Sequence, residues 1–480
     1  MTTSATSTCI SHTEFRGEFG FARTTITPPD GIYARLWGSA KHDIAEGVHQ
    51  PMLATCMLLR SDVTGFELIL VTLDVAALWQ EEADRIRAVI LERCALRPEQ
   101  LMVHPSHTHS SPMLARRQID RPGGHLIAPY LDSLPEICCQ LVTAARAGSF
   151  LGILGWAYGK CGLAFNRDAV DPPSGRGVCG LNLDRRADDT LLVGRVSDAA
   201  GRTRGVLVNY ACHPVSLGGG NKLISPDYIG PMREVIERET AATCVFLHGA
   251  SGDLTPRRSY EATTAAAEQN GREVGFSALA ALSGMLPPGR RLVYKGVEES
   301  GTALGIWEGA DKTALSSALG AEIVAVRLPL KDLPSRDTII ARMQSCKESH
   351  ELERLERMLA IKDRLGTDTE GTLLATVWRA GDAFFVATTG EPYSRLQVAL
   401  RERFPGVAVA VMNLTNGTSN YLPEAAAYQL DVYPVRVTEY AAGCLERIIE
   451  KSSMIIRHLQ ESTPAFAGEN LSALPSNTVT

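Results

Sequence analysis

The chain has 480 residues, 45% of them hydrophobic and 21% charged, with a formal net charge of −6 and an isoelectric point near 6.0. That length and composition allow one large α/β domain or two ordinary ones with a substantial core, and the acidic balance with no Lys/Arg block excludes a nucleic-acid surface. The 11 cysteines are scattered, odd in number and without a C-x-x-C pair, which reads as reduced thiols of a cytoplasmic protein.

The opening "MTTSATSTCISHTEF" has neither a basic start nor an apolar stretch. It reads as a disordered tail over residues 1–14 and not as a secretory signal. No uncharged apolar run approaches the ~18 residues of a spanning helix, so stable membrane insertion is not expected. Phe66–Val75 is a short apolar, β-branched run and reads as a buried strand. "QEEADRIRAVILERCA" follows with Ile86, Val89, Ile90 and Cys94 at helical spacing, and Leu101–His104 is the next strand. This strand–helix–strand unit ends in "HPSHTHSSP", which holds three of the chain's 11 histidines.

The same grammar recurs. "GVLVNYACHP" is a strand running into His213, "MREVIERETAA" a helix, and "TCVFLHGASGD" a strand running into a Gly-rich turn. The stretch 257–330 is poor in strand signal until its closing "EIVAVRLPL" and reads as an insertion or lid. Charged helical segments fill 335–365, "TLLATVWRAGDAFFVATTGEP" reads as a hairpin, a helix starts near Tyr393, and "VAVAVMNLTNG" is a further strand. The fold class expected is α/β: a large mixed β-sheet flanked by helices in a single catalytic domain over 15–455, with a flexible C-terminal tail over 456–480.

Unusual polar residues sit beyond the strand ends, where ligands bind in open α/β sheets. In "HTH", His107 and His109 fall on one side of an extended backbone. That spacing suits a metal ligand beside a substrate contact, and equally an incidental polar loop. His213 precedes a proline and a glycine run; a histidine there is also a usual core or cap residue. Asp227 lies just before a helix, where an N-cap is equally expected. In "GASGDLTP", Asp253 and Thr255 are the reactive candidates, and Gly249, Ser251 and Gly252 offer backbone N–H groups to a ligand; a tight turn explains the same residues. "TTGEP" contributes Glu391, and "TSNYLPEAAAY" contributes Tyr421 and Tyr428.

The order of these motifs resembles that of the neutral/alkaline, non-lysosomal ceramidases, which are zinc amidases. The resemblance runs from about Phe19 to about Leu445, through "GFARTTITPPDG", "HTHSSP", "AFNRD", "VLVNYACHPVSL", "ISPDYIGPMRE", "GASGDLTP", "TTGEP" and "LTNGTSNYLPEAAAY". It implies a Zn²⁺ held by His107, His213, Glu391 and Tyr421, with His109 and Arg167 facing the substrate. Two departures accompany it. Thr255 stands where the family carries a serine with a nucleophile or positioning role, and the chain stops soon after "YAAGCLERIIEKSSMII", which implies a short form without the family's C-terminal immunoglobulin-like domain.

The reading that follows is a zinc-dependent amidase acting on a small-molecule or lipid amide. His109 is its proton shuttle near its ordinary pKa, and Thr255 and Asp253 complete the catalytic set. Arg167, Tyr428 and the Gly249–Gly252 backbone hold the substrate, and Asp227 orients a ligand histidine. The alternatives are a hydrolase of a small non-lipid amide, lactam or ester, and a metal-binding protein without catalysis.

Overall fold

Strand Leu53–Arg60 shows how the layers arise. Successive side chains of a strand point to opposite faces. Met57 and Leu59 therefore enter one core, and Ala54, Cys56 and Leu58 another; all five are fully buried. A strand that is apolar on both faces needs cover on both sides.

The computed structural model describes residues 8–462. Its large sheet has eight strands in the order Thr243–His248, Thr203–Tyr210, Thr190–Asp198, Phe150–Lys160, Thr13–Thr25, Leu53–Arg60, Glu67–Leu73 and Leu101–Pro105. The inner pairs are antiparallel and the outermost pair at each edge is parallel. A parallel pair needs a crossover, supplied by the helices Gln80–Arg93 and Ile229–Thr240. These pack on one face of the sheet with Ile127–Ala147 and Ala265–Ser283.

Among the described residues, no helix lies on the other face. It packs on a second sheet of Leu319–Pro329, Glu370–Ala380, Ala383–Thr388 and Ala408–Met412. Trp156 of the large sheet meets Phe385 of the small one edge to face at 5.6 Å, and Trp378 is fully buried with its indole N–H donated to Glu99 O. The outer face of the small sheet is closed by Arg395–Arg403 and Cys444–Ser462. The architecture is thus helix, sheet, sheet, helix. The expected mixed sheet is present, and a second sheet stands where helices were expected on one side, because the central strands are antiparallel and need no crossover there.

Three expectations are corrected. Residues 9–14 are not a tail: Cys9–Ser11 and Thr13–Thr25 are strands, and the alternation that buries Phe15 and Phe19 begins there. The C-terminal helix runs on to Ser462, because Ile455, Ile456 and Leu459 extend its buried face. The rest of both expected tails, 1–7 and 463–480, lies outside the described residues. The stretch 257–330 is not one insertion. Its helix Ala265–Ser283 belongs to the core, and Leu319–Pro329 joins the small sheet. Arg290–Glu299 and Ala303–Asp311 form a hairpin whose strand signal is masked by exposed polar residues and glycines. No helix among the described residues is long and apolar enough to cross a membrane.

What positions the site is a convergence of three parallel pairs. Both edges of the large sheet and the Ala383–Thr388/Ala408–Met412 pair of the small sheet deliver their C-terminal ends to one place. Residues 413–416 bind them together. Asn413 N–H donates to His248 O, Asn416 N–H to Val103 O, and the Asn416 side chain accepts from Val103 N–H. Leu414 and Asn416 hold φ of 50° and 66° to make these bonds.

Candidate metal centre

His107 follows strand Leu101–Pro105 in a left-handed backbone conformation (φ 66°) that a residue with a Cβ seldom adopts. Its N–H bonds Val75 O, and its ring is turned so that Nδ1 meets Ala76 O at 2.6 Å. His213 follows strand Thr203–Tyr210, is fully buried, and places Nδ1 2.8 Å from Ser251 O. Each ring therefore donates Nδ1–H to a carbonyl and turns Nε2 inward. The two Nε2 atoms are 3.2 Å apart.

Glu391 follows strand Ala383–Thr388, and Oε1 lies 2.7 Å from His213 Nε2 and 3.6 Å from His107 Nε2. Burial, chiefly, with the nearby Arg167 charge and opposed by Glu391, lowers the His213 pKa to about 4, so this ring is neutral at pH 7. Its Nε2 faces the carboxylate at 2.7 Å, a contact that needs a proton or a cation between the two atoms. Burial alone would raise the Glu391 pKa, but His213 and His107 hold it well below the usual carboxylate range. Glu391 is an anion. Its Oε1 has no hydrogen-bond partner among the described residues.

These donors could hold a divalent ion. A tetrahedral zinc with Zn–N of about 2.0–2.1 Å separates two nitrogens by about 3.4 Å, close to the observed spacing. Imidazole and carboxylate together suit zinc, and both rings already make the second hydrogen bond that fixes a ligand histidine's tautomer. Tyr421 is Glu391's register partner in a short parallel pair, which brings the two side chains together. Its phenol is raised well above its ordinary pKa by burial and then by Glu391, against the pull of Arg167.

His109 joins the cluster from above. Its Nε2 is 3.4 Å from His107 Nε2, and His107, His109 and His213 each offer a ring nitrogen within 4.8 Å of the others. Its N–H bonds Pro214 O, so the loops carrying the histidines are tied directly. Burial and the two neighbouring histidines push its pKa well below 6.5. That departs from the expectation of a group titrating near its ordinary value.

Arg167 is fully buried, and its Nε and one terminal nitrogen donate to Gly252 O at 3.0 and 2.8 Å. The guanidinium lies 5.4 Å from the Tyr421 ring and 3.9 Å from Glu391 Oε1. Burial opposes its charge, but Tyr421 and Glu391 more than restore it. Thr255 is fully buried on the short strand Leu254–Pro256, opposite Phe165, and the Tyr260 phenol, the Thr255 hydroxyl and Arg167 influence one another.

Other sequence candidates do different work. Asp227 does not touch a ligand histidine: its carboxylate accepts from Leu217 N–H and Tyr228 N–H. Gly249 and Gly252 do not offer their N–H groups to a substrate, because these donate to Tyr210 O and Pro392 O. Ser251 faces inward and holds His213 through its carbonyl. Asp253, raised to about 6 mainly by burial, is committed to Ser394 N–H and Oγ and to Asn166, so it anchors the segment after Glu391 and does not act on the histidines. The Tyr428 hydroxyl donates to Tyr440 O.

His248 is the residue that sequence reasoning passed over. It is fully buried, its ring centroid lies 5.3 Å from that of His107, and its Nε2 meets Ser251 Oγ at 2.9 Å. Its N–H donates to His104 Nε2, whose Nδ1 meets Thr415 Oγ1 at 2.8 Å. His104 thus joins the two edges of the large sheet. Only the position of His248 at the end of an apolar strand could have marked it.

No family model and no curated protein matches this sequence. Solved structures share its fold. A ceramidase complexed with C2 superposes with a TM-score of 0.68 over 95% of this chain and 77% of that one, at 14% identity. The neutral ceramidase from Pseudomonas aeruginosa superposes with a TM-score of 0.66 over 95% and 76%, at 15% identity.

Proposed function

We propose that this chain is a zinc-dependent amide hydrolase. The observation that carries the reading is the meeting of the inward-turned His107 and His213 Nε2 atoms with the Glu391 carboxylate at a buried point. The fold adds support, since ceramidases cleave an amide and the two solved proteins named above are ceramidases.

In this reading His107, His213, Glu391 and Tyr421 hold the ion, which when bound supplies Lewis acidity at neutral pH. His109, neutral at pH 7, takes the proton released as water attacks the amide carbonyl and returns it to the leaving amine. Arg167 keeps a fixed positive charge beside Glu391 and Tyr421 and stabilises negative charge developing on the carbonyl oxygen. Thr255 positions the acyl group through a stiff, β-branched hydroxyl and forms no obligatory covalent intermediate. Buried free thiols such as Cys56, Cys138, Cys212 and Cys244 favour a reducing, cytoplasmic setting.

The test is turnover of simple N-acyl amides before chelation, after chelation, and after reloading with zinc. Activity lost and then regained with zinc is the expected result. Turnover that survives complete removal of metal would overturn the reading.

A further inference from the structure

His248 is a buried histidine that the proposed chemistry leaves unused. It is the last residue of strand Thr243–His248 and is fully buried. Its ring packs against those of His107 and His213, with centroids 5.3 and 6.1 Å away. It is not a further ligand. Among the described residues, the ring nitrogens gathered within 4.8 Å of one another are those of His107, His109 and His213, whereas His248 Nε2 lies 2.9 Å from Ser251 Oγ.

The protons around Ser251 can be assigned. Its hydroxyl oxygen lies 3.4 Å from Asn413 Nδ2 and 3.2 Å from His213 Nδ1. The first is an amide donor. The second carries the hydrogen that also goes to Ser251 O at 2.8 Å. An oxygen facing two donors turns its own proton to its third neighbour, and that neighbour is His248 Nε2. His248 therefore accepts at Nε2 and carries its hydrogen on Nδ1, which has no partner among the described residues. With the hydroxyl proton held by His248, the Ser251 lone pairs stay on His213 Nδ1–H.

Two backbone bonds keep His248 in place. Its N–H donates to His104 Nε2 at 2.8 Å, and its carbonyl accepts from Asn413 N–H at 3.1 Å. The bond made by one ring nitrogen sets which way the other faces. His213 is thus held by two oxygens of Ser251, and one of those oxygens is held by His248.

We propose that His248 is a positioning residue of the metal centre: through the Ser251 hydroxyl it fixes the tautomer and tilt of His213, so that Nε2 faces His107 and Glu391. This rests on the zinc reading above and deepens it.

The test measures zinc affinity of the full chain by competition with a chromogenic chelator, and the visible spectrum of the cobalt(II)-loaded form. The variants are His248→Leu, His248→Gln, Ser251→Ala and the double variant His248→Leu/Ser251→Ala. Gln restores an acceptor where Nε2 stood, and Leu does not. His248→Leu and Ser251→Ala are each expected to bind zinc about tenfold more weakly, the low end for losing an outer partner of a ligand, with an altered cobalt spectrum. His248→Gln is expected to stay close to the unaltered chain. The double variant is expected to lose about tenfold and not about a hundredfold, because both changes cut one path. Should His248→Leu not fold, His248→Asn takes its place in every comparison with the same expectations, since its amide reaches the position of Nδ1 and not that of Nε2. Affinity and spectrum unchanged in the folded variant, or losses that multiply in the double variant, would overturn the inference and leave the metal centre standing. Zinc not bound by the unaltered chain would overturn the zinc reading and this inference with it.

Discussion

The candidate metal centre and the hairpin Arg290–Glu299/Ala303–Asp311 are both built from strands, and they treat polarity in opposite ways. In the hairpin, apolar side chains face water: Val297 is 61% exposed and Leu304 42%, and Tyr294 and Trp307 cover each other across the strands at 5.6 Å. At the centre, His104, His213 and His248 are fully buried and Glu391 nearly so. An exposed apolar residue is common and costs little. A buried carboxylate is costly unless something pairs with it. Buried polarity left incomplete therefore marks where a ligand belongs, and exposed apolar surface alone does not.

The strongest way to break that contrast is His213→Ala. It removes one donor and leaves Glu391 buried beside a void. Metal affinity is expected to fall by more than the 10–100-fold typical of losing an outer partner of a ligand, with hydrolysis lost alongside. Elemental analysis of the dialysed, folded variant checks this, and full retention of zinc would mean that the ion sits elsewhere.

His109→Ala sharpens the contrast within the cluster. With His109 acting as a base, turnover is expected to drop about 10²–10⁴-fold while zinc stays bound. Kinetics and metal content measured on the same sample separate the roles; zinc lost with turnover would make His109 a ligand.

A smaller effect is expected from His104, whose nitrogens are both taken by the protein. Burial, the leading cause, lowers its pKa from 6.5 to about 3. A lowered folded-state value contributes stability that is fully present above pH 6.5 and is lost as pH falls toward 3. At about 1.4 kcal/mol per pH unit of separation, the loss amounts to several kcal/mol. His104→Gln is expected to be less stable at pH 7, since it weakens the bond to His248 N–H, yet to lose less stability in acid. Denaturant unfolding across pH 3–7 reads the two slopes, and parallel slopes would contradict the account.

The smallest effect belongs to the hairpin. Trp307→Ala removes one cross-strand pair, worth about 0.2–1 kcal/mol, and should leave zinc content and turnover unchanged. Thermal unfolding and an amidase assay check both halves.

These residues also measure how far the sequence could be read. The strands leading to His107 and His213, and the helices between parallel strands, follow from apolar runs and helical spacing that survive any tertiary context. Glu391 and Tyr421 stood out only through the order of motifs, because their proximity depends on a two-residue parallel pairing that no local pattern announces. The partners of a glycine-rich turn come from remote chain, so the commitment of Gly249 and Gly252 N–H to Tyr210 and Pro392 was illegible, as was the second sheet covering the first. His248 was hidden for the same reason: its neighbours lie on the opposite edge of a sheet that curls to meet itself.

The central claim is that the inward nitrogens of His107 and His213 and the Glu391 carboxylate hold one zinc. X-ray absorption at the zinc edge of the loaded protein tests it most directly. The account predicts one zinc per chain, with two imidazole nitrogens and oxygen donors at about 2.0–2.2 Å and no sulfur. A sulfur shell, or zinc without imidazole scattering, would contradict it.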